Sequence, residues 1–505
     1  MKETDRAVSL DAVASSTLTD LYNASTLLDA NLAAGRGGKV AISCAGDRVT
    51  YDELYGRACG IGARLRELGL ETGDRVLLVM DDCPELPAVF LGAIRVGAVP
   101  VPVNPLYSAG EYGYFVSDSR ASVAVVDAAC AEKVDGTHVV PLDELTGTTD
   151  DFPPASTRAE DMAFWLYSSG STGSPKGVVH RQRDMLATCE TYAKHVLGIG
   201  EDDVTFSTTK LFHAYGLGNN LSFPYWAGAA TVLLPGRPTP EAIFAAVARE
   251  RPTIVFSVPT LYNAMLHADA GSHDWSSVRF CVSAAEPLPA EVWHRWRHRY
   301  GLEILDGIGS TEMLHIYCSN RGGQVVPGSS GTPVPGYEVK LLDEQGVELT
   351  GEATGDLYVR GDSMLAEYWN QPEKTAGSIR DGWFYSRDRY RRDADGNYWY
   401  EGRADDMFKV SGLWVSPIDV EARLIEHPGV VEAAVVGVAV EGLTRAKAFV
   451  VCAETAARDD RLADELRAFC GERLHRYQVP HAIEFADELP KTVTGKILRY
   501  RLRER

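Results

Sequence analysis

At 505 residues, 45% hydrophobic, 24% charged and 9% aromatic, the chain is long enough for about two to four cores, and its balance excludes a fibrous or disordered protein. The formal net charge is −20, from 50 basic against 70 acidic residues. Such a surface repels phosphate polymers, so nucleic acid and anionic membrane are excluded as partners, and a phosphate-bearing ligand must be held by local devices.

Nine scattered cysteines with no CxxC pair read as reduced thiols of a cytoplasmic protein. The first sixteen residues lack the apolar core of a secretory signal. Leu86 to Val103 is broken by Arg95 and by Pro87, Pro100 and Pro102, too interrupted to span a bilayer.

In chain order, Tyr51 to Leu70 places Leu54, Tyr55, Ala58, Ile61, Leu65 and Leu68 at helical spacing, and Arg75 to Met80 reads as a strand. A helix after Pro84, an extended Val99 to Pro105 and a strand Ser122 to Val126 follow. Helices alternating with buried strands indicate α/β layers with parallel strands. The unit recurs in Ala230–Leu234, a helix after Pro240, Thr253–Phe256 and Val278–Val282. From about Gly331 the pattern changes to short strands and turns (Tyr337–Leu342, Gly355–Arg360), suited to a small barrel or sheet. Beyond Arg403 comes a compact α+β pattern: strands Val430–Val436 and Ala446–Cys452, a helix Arg461 to Leu474, and a basic tail. The expected fold class is α/β, with a large multi-layer N-terminal domain over 1–404 and a small mobile α+β domain over 405–505. The larger domain should hold two βαβ-type sheet subdomains and a small β-barrel-like one.

The strongest motif is Tyr167-Ser-Ser-Gly-Ser-Thr-Gly-Ser-Pro-Lys-Gly177, after a strand (Met162 to Leu166) and before a segment read as helical (Val178 to Ala193). Ser168, Ser169, Gly170, Ser171, Thr172 and Gly173 can turn their amides and hydroxyls onto an anion, and Lys176 adds one mobile charge. A flexible linker is the bland alternative. The Walker pattern fails because Pro175 stands where its second glycine is required, and a dinucleotide fingerprint fails because Glu312 follows Gly307 and Gly309 in place of a third glycine. Asp306-Gly-Ile-Gly-Ser-Thr-Glu312 adds a carboxylate of the hard-oxygen kind that Mg²⁺ takes beside phosphate oxygens.

The 167–177 segment resembles the signature loop of the adenylate-forming superfamily (acyl- and aryl-CoA ligases, peptide-synthetase adenylation domains, beetle luciferases). Further motifs of that superfamily follow in order over nearly the whole chain. The resemblance implies that the loop wraps the β- and γ-phosphates of ATP, that Thr311 bonds the α-phosphate and that Glu312 holds Mg²⁺. It places Ala284, Ala285, Glu286, Asp306, Gly307 and Ile308 around the nucleotide, with Ala285 standing where glycine is usual. Asp388 and Arg403 would hold the ribose hydroxyls, although Ser386-Arg387 replaces the usual Thr-Gly before Asp388. Asp405 would be the hinge, Gly412 would leave room for the pantetheine arm, and Lys496 would bridge the carboxylate and the α-phosphate.

Phe212-His-Ala-Tyr-Gly-Leu-Gly-Asn219, Val282–Leu288 and Gly309–Ile316 resemble the benzoate-CoA ligase group in particular. By that likeness Ala214, Tyr215, Ala284, Gly309, His315 and Ile316 line an aryl pocket with Lys409 nearby, and His213 lies beside the thiol tunnel. Small and aromatic walls suit a flat ring, and His315 either donates to a ring substituent or is a satisfied structural histidine. His213 and Ala285 depart from the group and point towards a hydroxy- or aminobenzoate, salicylate being one candidate. Another departure, Glu367 for a common glycine before Tyr-Trp, lies away from the chemistry. The expected reaction uses ATP, Mg²⁺ and coenzyme A, in a monomer or homodimer. Loading of a separate carrier protein is the alternative acceptor reaction, less favoured because no carrier domain follows Lys496. A catalytically silent nucleotide-binding protein is the reading from another class.

Overall fold

The computed structural model describes residues 21–145, 147–149, 152–168, 175–268, 273–403, 406–410, 413–440, 443–453, 456–491 and 497–503. The helix Tyr51–Glu67 starts at a capping box, in which Thr50 accepts from the Glu53 amide and the Glu53 carboxylate accepts from the Thr50 amide. Its buried residues Leu54, Ala58, Ile61 and Leu65 pack on the helix Glu85–Val96. Arg95, the charge inside that apolar stretch, is 2% exposed, and its guanidinium donates to the Asp29 carboxylate at 2.7 and 3.0 Å, the Phe152 carbonyl at 2.6 Å and the Tyr55 hydroxyl at 3.0 Å. A buried charge paired in this way is tolerated in a core.

Two sheets carry the parallel strands. One has four, in the order 99–103, 75–79, 123–126, 138–141, all parallel. The other has nine, with a parallel centre in the order 304–309, 280–283, 254–257, 204–207, 230–233, 40–44 and antiparallel strands at its two ends. Strands 162–168, 176–181 and 367–368 form a third, antiparallel sheet, whose Trp165 and Val179 share a core with the four-stranded one. A six-stranded antiparallel sheet follows in sequence, built from 338–342, 348–349, 353–360, 379–380, 383–392 and 398–403. The segments beyond form a hairpin, 408–410 with 413–415, and a sheet of 430–440, 443–452 and 482–485 with its own core against helices Pro417–Ile425 and Asp460–Gly471.

Every strand and helix anticipated above is present to within a few residues, with one correction. The stretch read as a helix from Val178 begins as a strand, Lys176–Arg181, paired antiparallel with Met162–Ser168; helix begins only at Asp184. The β-branched pair Val178-Val179 is wholly buried against neighbouring sheets, and that packing outweighs helical spacing. The phosphate-type loop therefore joins two antiparallel strands. All nine cysteines are thiols outside any disulfide, eight of them buried. No helix among the described residues is long and apolar enough to cross a membrane.

Candidate active site

The strand ends of three sheets converge on the motifs. Glu312 lies in a turn, Thr311–Met313, and is 8% exposed. Its Oε1 accepts from Lys176 Nζ at 2.8 Å and from the Tyr368 hydroxyl at 2.9 Å, while Lys176 also donates to the Tyr368 oxygen at 2.9 Å. Burial alone would raise the carboxyl pKa; the charge and hydrogen bond of Lys176 outweigh it and hold Glu312 down to about 2. The turn itself is anchored from behind. His180 Nε2 donates to the Thr311 carbonyl at 2.8 Å, and its Nδ1 lies 3.0 Å from Asp184 Oδ2, both side chains wholly buried. Tyr368, His180 and Asp184 were not anticipated. The only signal for the histidine and the aspartate was their four-residue spacing.

Asp388 and Arg403 face each other across the hairpin of strands 383–392 and 398–403, with Nη1 3.1 Å from Oδ1. A bulge re-aims this part of the strand. Asp356 pairs with Arg389 and Tyr358 with Tyr385, so Ser386, Arg387 and Asp388 stand opposite Leu357 alone. Ser386 fixes the bulge by donating to the Leu357 carbonyl at 3.0 Å and accepting from the Asp388 amide at 3.0 Å. Arg387 is held at φ +62°, and two other non-glycine residues of the site segments also have positive φ, Ala285 at +76° and Leu314 at +63°. Such backbone costs about 1–3 kcal/mol per residue and persists where the surroundings over-determine it.

Ala284, Ala285 and Glu286 follow the strand 280–283, and Glu286 accepts from the Thr260 hydroxyl at 2.7 Å. Asp306 is buried beneath Gly307 and Ile308, its pKa raised by burial and its Oδ1 without a partner among the described residues. Gly309 is obligatory, because a Cβ there would sit 2.5 Å from the His315 carbonyl oxygen.

His315 is 2% exposed and ringed by Phe223, Tyr192 and Tyr215 at centroid distances of 4.5, 5.2 and 5.4 Å. Gly218 gives it room, since a Cβ there would collide with the imidazole. Burial lowers its pKa to about 3, so the ring is neutral. Nε2 lies 3.1 Å from Asn219 Oδ1, which only accepts, so Nε2 carries the hydrogen and Nδ1, without a partner among the described residues, is an acceptor. The ring hydrogen of His315 is thus engaged within the protein. Ala214 and Ile316 are buried, as is most of Tyr215, whose hydroxyl is 3.5 Å from the Ser257 carbonyl; His213 caps the short helix Ala214–Leu217. Lys409 is placed on the C-terminal hairpin with its side chain exposed. Ser169, Gly170, Ser171, Thr172, Gly173, Asp405, Gly412 and Lys496 lie outside the described residues; Ser168 closes the strand that leads into the loop.

The described residues hold no cluster of three or more metal-ligating side chains. Glu312 alone offers a buried anionic oxygen beside Lys176, a donor set that suits Mg²⁺ sharing its sphere with phosphate oxygens. The arrangement thus brings a buried cation–carboxylate pair, an aspartate–arginine pair and a neutral imidazole ringed by aromatic side chains onto the motif segments.

Residues 30–369 match the AMP-binding enzyme family and residues 419–496 its C-terminal domain. The chain is 47% identical over 508 aligned residues to the benzoate–CoA ligase of Thauera aromatica, covering 96% of both. Among solved structures, a benzoate CoA ligase from Burkholderia xenovorans superposes with TM-score 0.90 at 43% identity, over 96% of this chain and 100% of that one. An anthranilate CoA ligase bound to anthranoyl-AMP gives 0.93 at 37%, over 97% and 98%. The chain belongs to the adenylate-forming family of AMP-binding enzymes.

Proposed function

We propose that the protein is an AMP-forming aryl-CoA ligase that converts benzoate, or a benzoate bearing a hydroxy or amino group, to its CoA thioester. The observation that carries this reading is the buried Lys176–Glu312 pair under Tyr368. Each partner neutralises the other, and each is of the type a nucleotide would exchange: a phosphate for the ammonium, a metal for the carboxylate.

A carboxylate is a poor acyl donor because its leaving group would be oxide. In the first step its oxygen attacks the α-phosphorus of ATP and pyrophosphate leaves. The thiolate of CoA then attacks the acyl carbon, and AMP departs with the former carboxylate oxygen. Mg²⁺, when bound at Glu312, would neutralise phosphate charge. Thr311 meets the α-phosphate, Asp388 and Arg403 orient the ribose, and Ala284 to Glu286 with Asp306 to Ile308 shape the adenine side. Lys496 is assigned to the charge between carboxylate and α-phosphate. The lid is taken as 405–505, turning at Asp405 between steps to withdraw Lys496 and open the thiol path, with Gly412 on the lid and His213 on the larger domain beside it. CoA is favoured over a carrier protein because the named relatives, matched almost end to end, are CoA ligases.

The test is a coupled assay with ATP, Mg²⁺, CoA and a panel of benzoates and short fatty acids, following AMP and thioester by mass spectrometry. Aryl-CoA formed in step with AMP supports the reading. An aryl-adenylate that ignores CoA would overturn the second half-reaction, and turnover confined to fatty acids would overturn the aryl pocket.

A further inference from the structure

Around Tyr368 the charges do not balance. Lys176 Nζ stands 4.1 Å from the ring centroid and Lys374 Nζ 5.7 Å from the same ring. Arg387 completes the group, since its positive charge acts on Tyr368 and on Lys374. Among the described residues, Glu312 is the carboxylate whose charge acts on Tyr368 and on Lys374. Burial, followed by the charges of Lys176 and Arg387, lowers the pKa of the Lys374 ammonium, and the charge of Glu312 opposes them. Neither Lys374 nor the Arg387 guanidinium forms a hydrogen bond or ion pair among the described residues, whereas Arg389, Arg391 and Arg403 on the same hairpin all reach carboxylates. In a protein of net charge −20, an under-neutralised cation cluster beside the Lys176–Glu312 pair calls for a polyanion.

The backbone points the same way. Arg387 sits at φ +62°, inside the bulge that aims Asp388, where glycine would be unstrained. The strain is retained for a residue whose side chain makes no hydrogen bond or ion pair among the described residues. An arginine fork suits two phosphate oxygens at once.

We propose that Arg387, with Lys374, is a second cationic clamp for the β- and γ-phosphates of ATP and for the pyrophosphate they become, acting beyond Lys176 and opposite the ribose contact at Asp388. The clamp rests on the adenylation reading. It adds charge where the leaving group develops it, and it leaves the AMP half of the nucleotide untouched.

The test compares wild type with Arg387→Gly and Lys374→Ala by titration with ATP and with AMP, by the KM for pyrophosphate in ATP–pyrophosphate exchange, and by thermal melting. Arg387→Gly relaxes the backbone, so its Tm should stay level or rise. Its ATP affinity should fall about tenfold and its KM for pyrophosphate rise about tenfold, with AMP affinity unchanged. Lys374→Ala should shift the same two quantities by about threefold, as for a part-exposed point charge. Unchanged ATP and pyrophosphate values in Arg387→Gly would overturn the clamp. So would an equal loss for AMP, which would reduce Arg387 to shaping Asp388. Absence of exchange in the wild type with every aryl acid would instead sink the adenylation reading, and the clamp with it.

Discussion

Acid should act on the aryl pocket through His315. The imidazole is buried among Tyr192, Tyr215 and Phe223, and burial lowers its pKa from 6.5 to about 3. In the unfolded chain the same ring takes up a proton below its ordinary value, so the native state falls behind by about 1.4 kcal/mol per pH unit between 6.5 and 3. The sign is fixed: this contribution is intact above pH 6.5 and lost as pH falls. Moving from pH 7.5 to 5.0 crosses about 1.5 units of that window and should cost about 2 kcal/mol, rising to about 5 kcal/mol at pH 3. His315→Gln removes the titration while its amide can still donate to Asn219 Oδ1. Comparing urea unfolding of the two proteins at both pH values cancels titrations they share, including the raised carboxyls of Asp82 and Asp419, each near 7. The variant starts out less stable at pH 7.5, and the gap should narrow by about 2 kcal/mol at pH 5.0. A gap that stays constant would mean that the ring titrates normally and the pocket is not dry.

Three further outcomes follow from the same geometry. Glu312→Gln should cut adenylation about 100-fold or more; because Glu312 is held down to about 2, it should also remove stability that the wild type has above pH 4.5 and loses as pH falls towards 2, read from acid-unfolding curves. Asp388→Asn weakens the Arg403 pair and halves the capacity for two hydroxyls, so KM for ATP should rise about tenfold while pyrophosphate inhibition is unchanged. Since His315 Nδ1 accepts, a ring hydroxyl or amino group should raise kcat/KM about fivefold over the fluoro analogue in at least one ring position; no difference in any position would remove Nδ1 from recognition.

The parallel core was legible because its strands are buried on both faces and so read as continuous apolar runs, as in Arg75–Val79 and Ile254–Ser257. Val178 was misread because an apolar run after a glycine-rich loop fits either period, and only the pairing with Met162–Ser168 decides it. At the site, Lys176 and Glu312 stood out as charged residues inside small-residue motifs, whereas Asp388 was reached only by resemblance. Tyr368 was not, since its hydroxyl reaches Glu312 over 56 residues of sequence, a proximity that local pattern cannot carry. The direction of the His315 hydrogen bond depended on Asn219 96 residues away. Arg387 was visible as an oddity beside Asp388, but its meaning required the positions of Lys374 and Tyr368.

The central claim is that the acid is activated by attack of its own oxygen on the α-phosphorus. It is tested most directly by running the reaction with benzoate, or the best acid of the panel, labelled with ¹⁸O in both carboxylate oxygens, and weighing the AMP. Activation as an aryl-adenylate predicts one ¹⁸O in each AMP and none in pyrophosphate. Unlabelled nucleotide, or label released in inorganic phosphate alongside ADP, would contradict it.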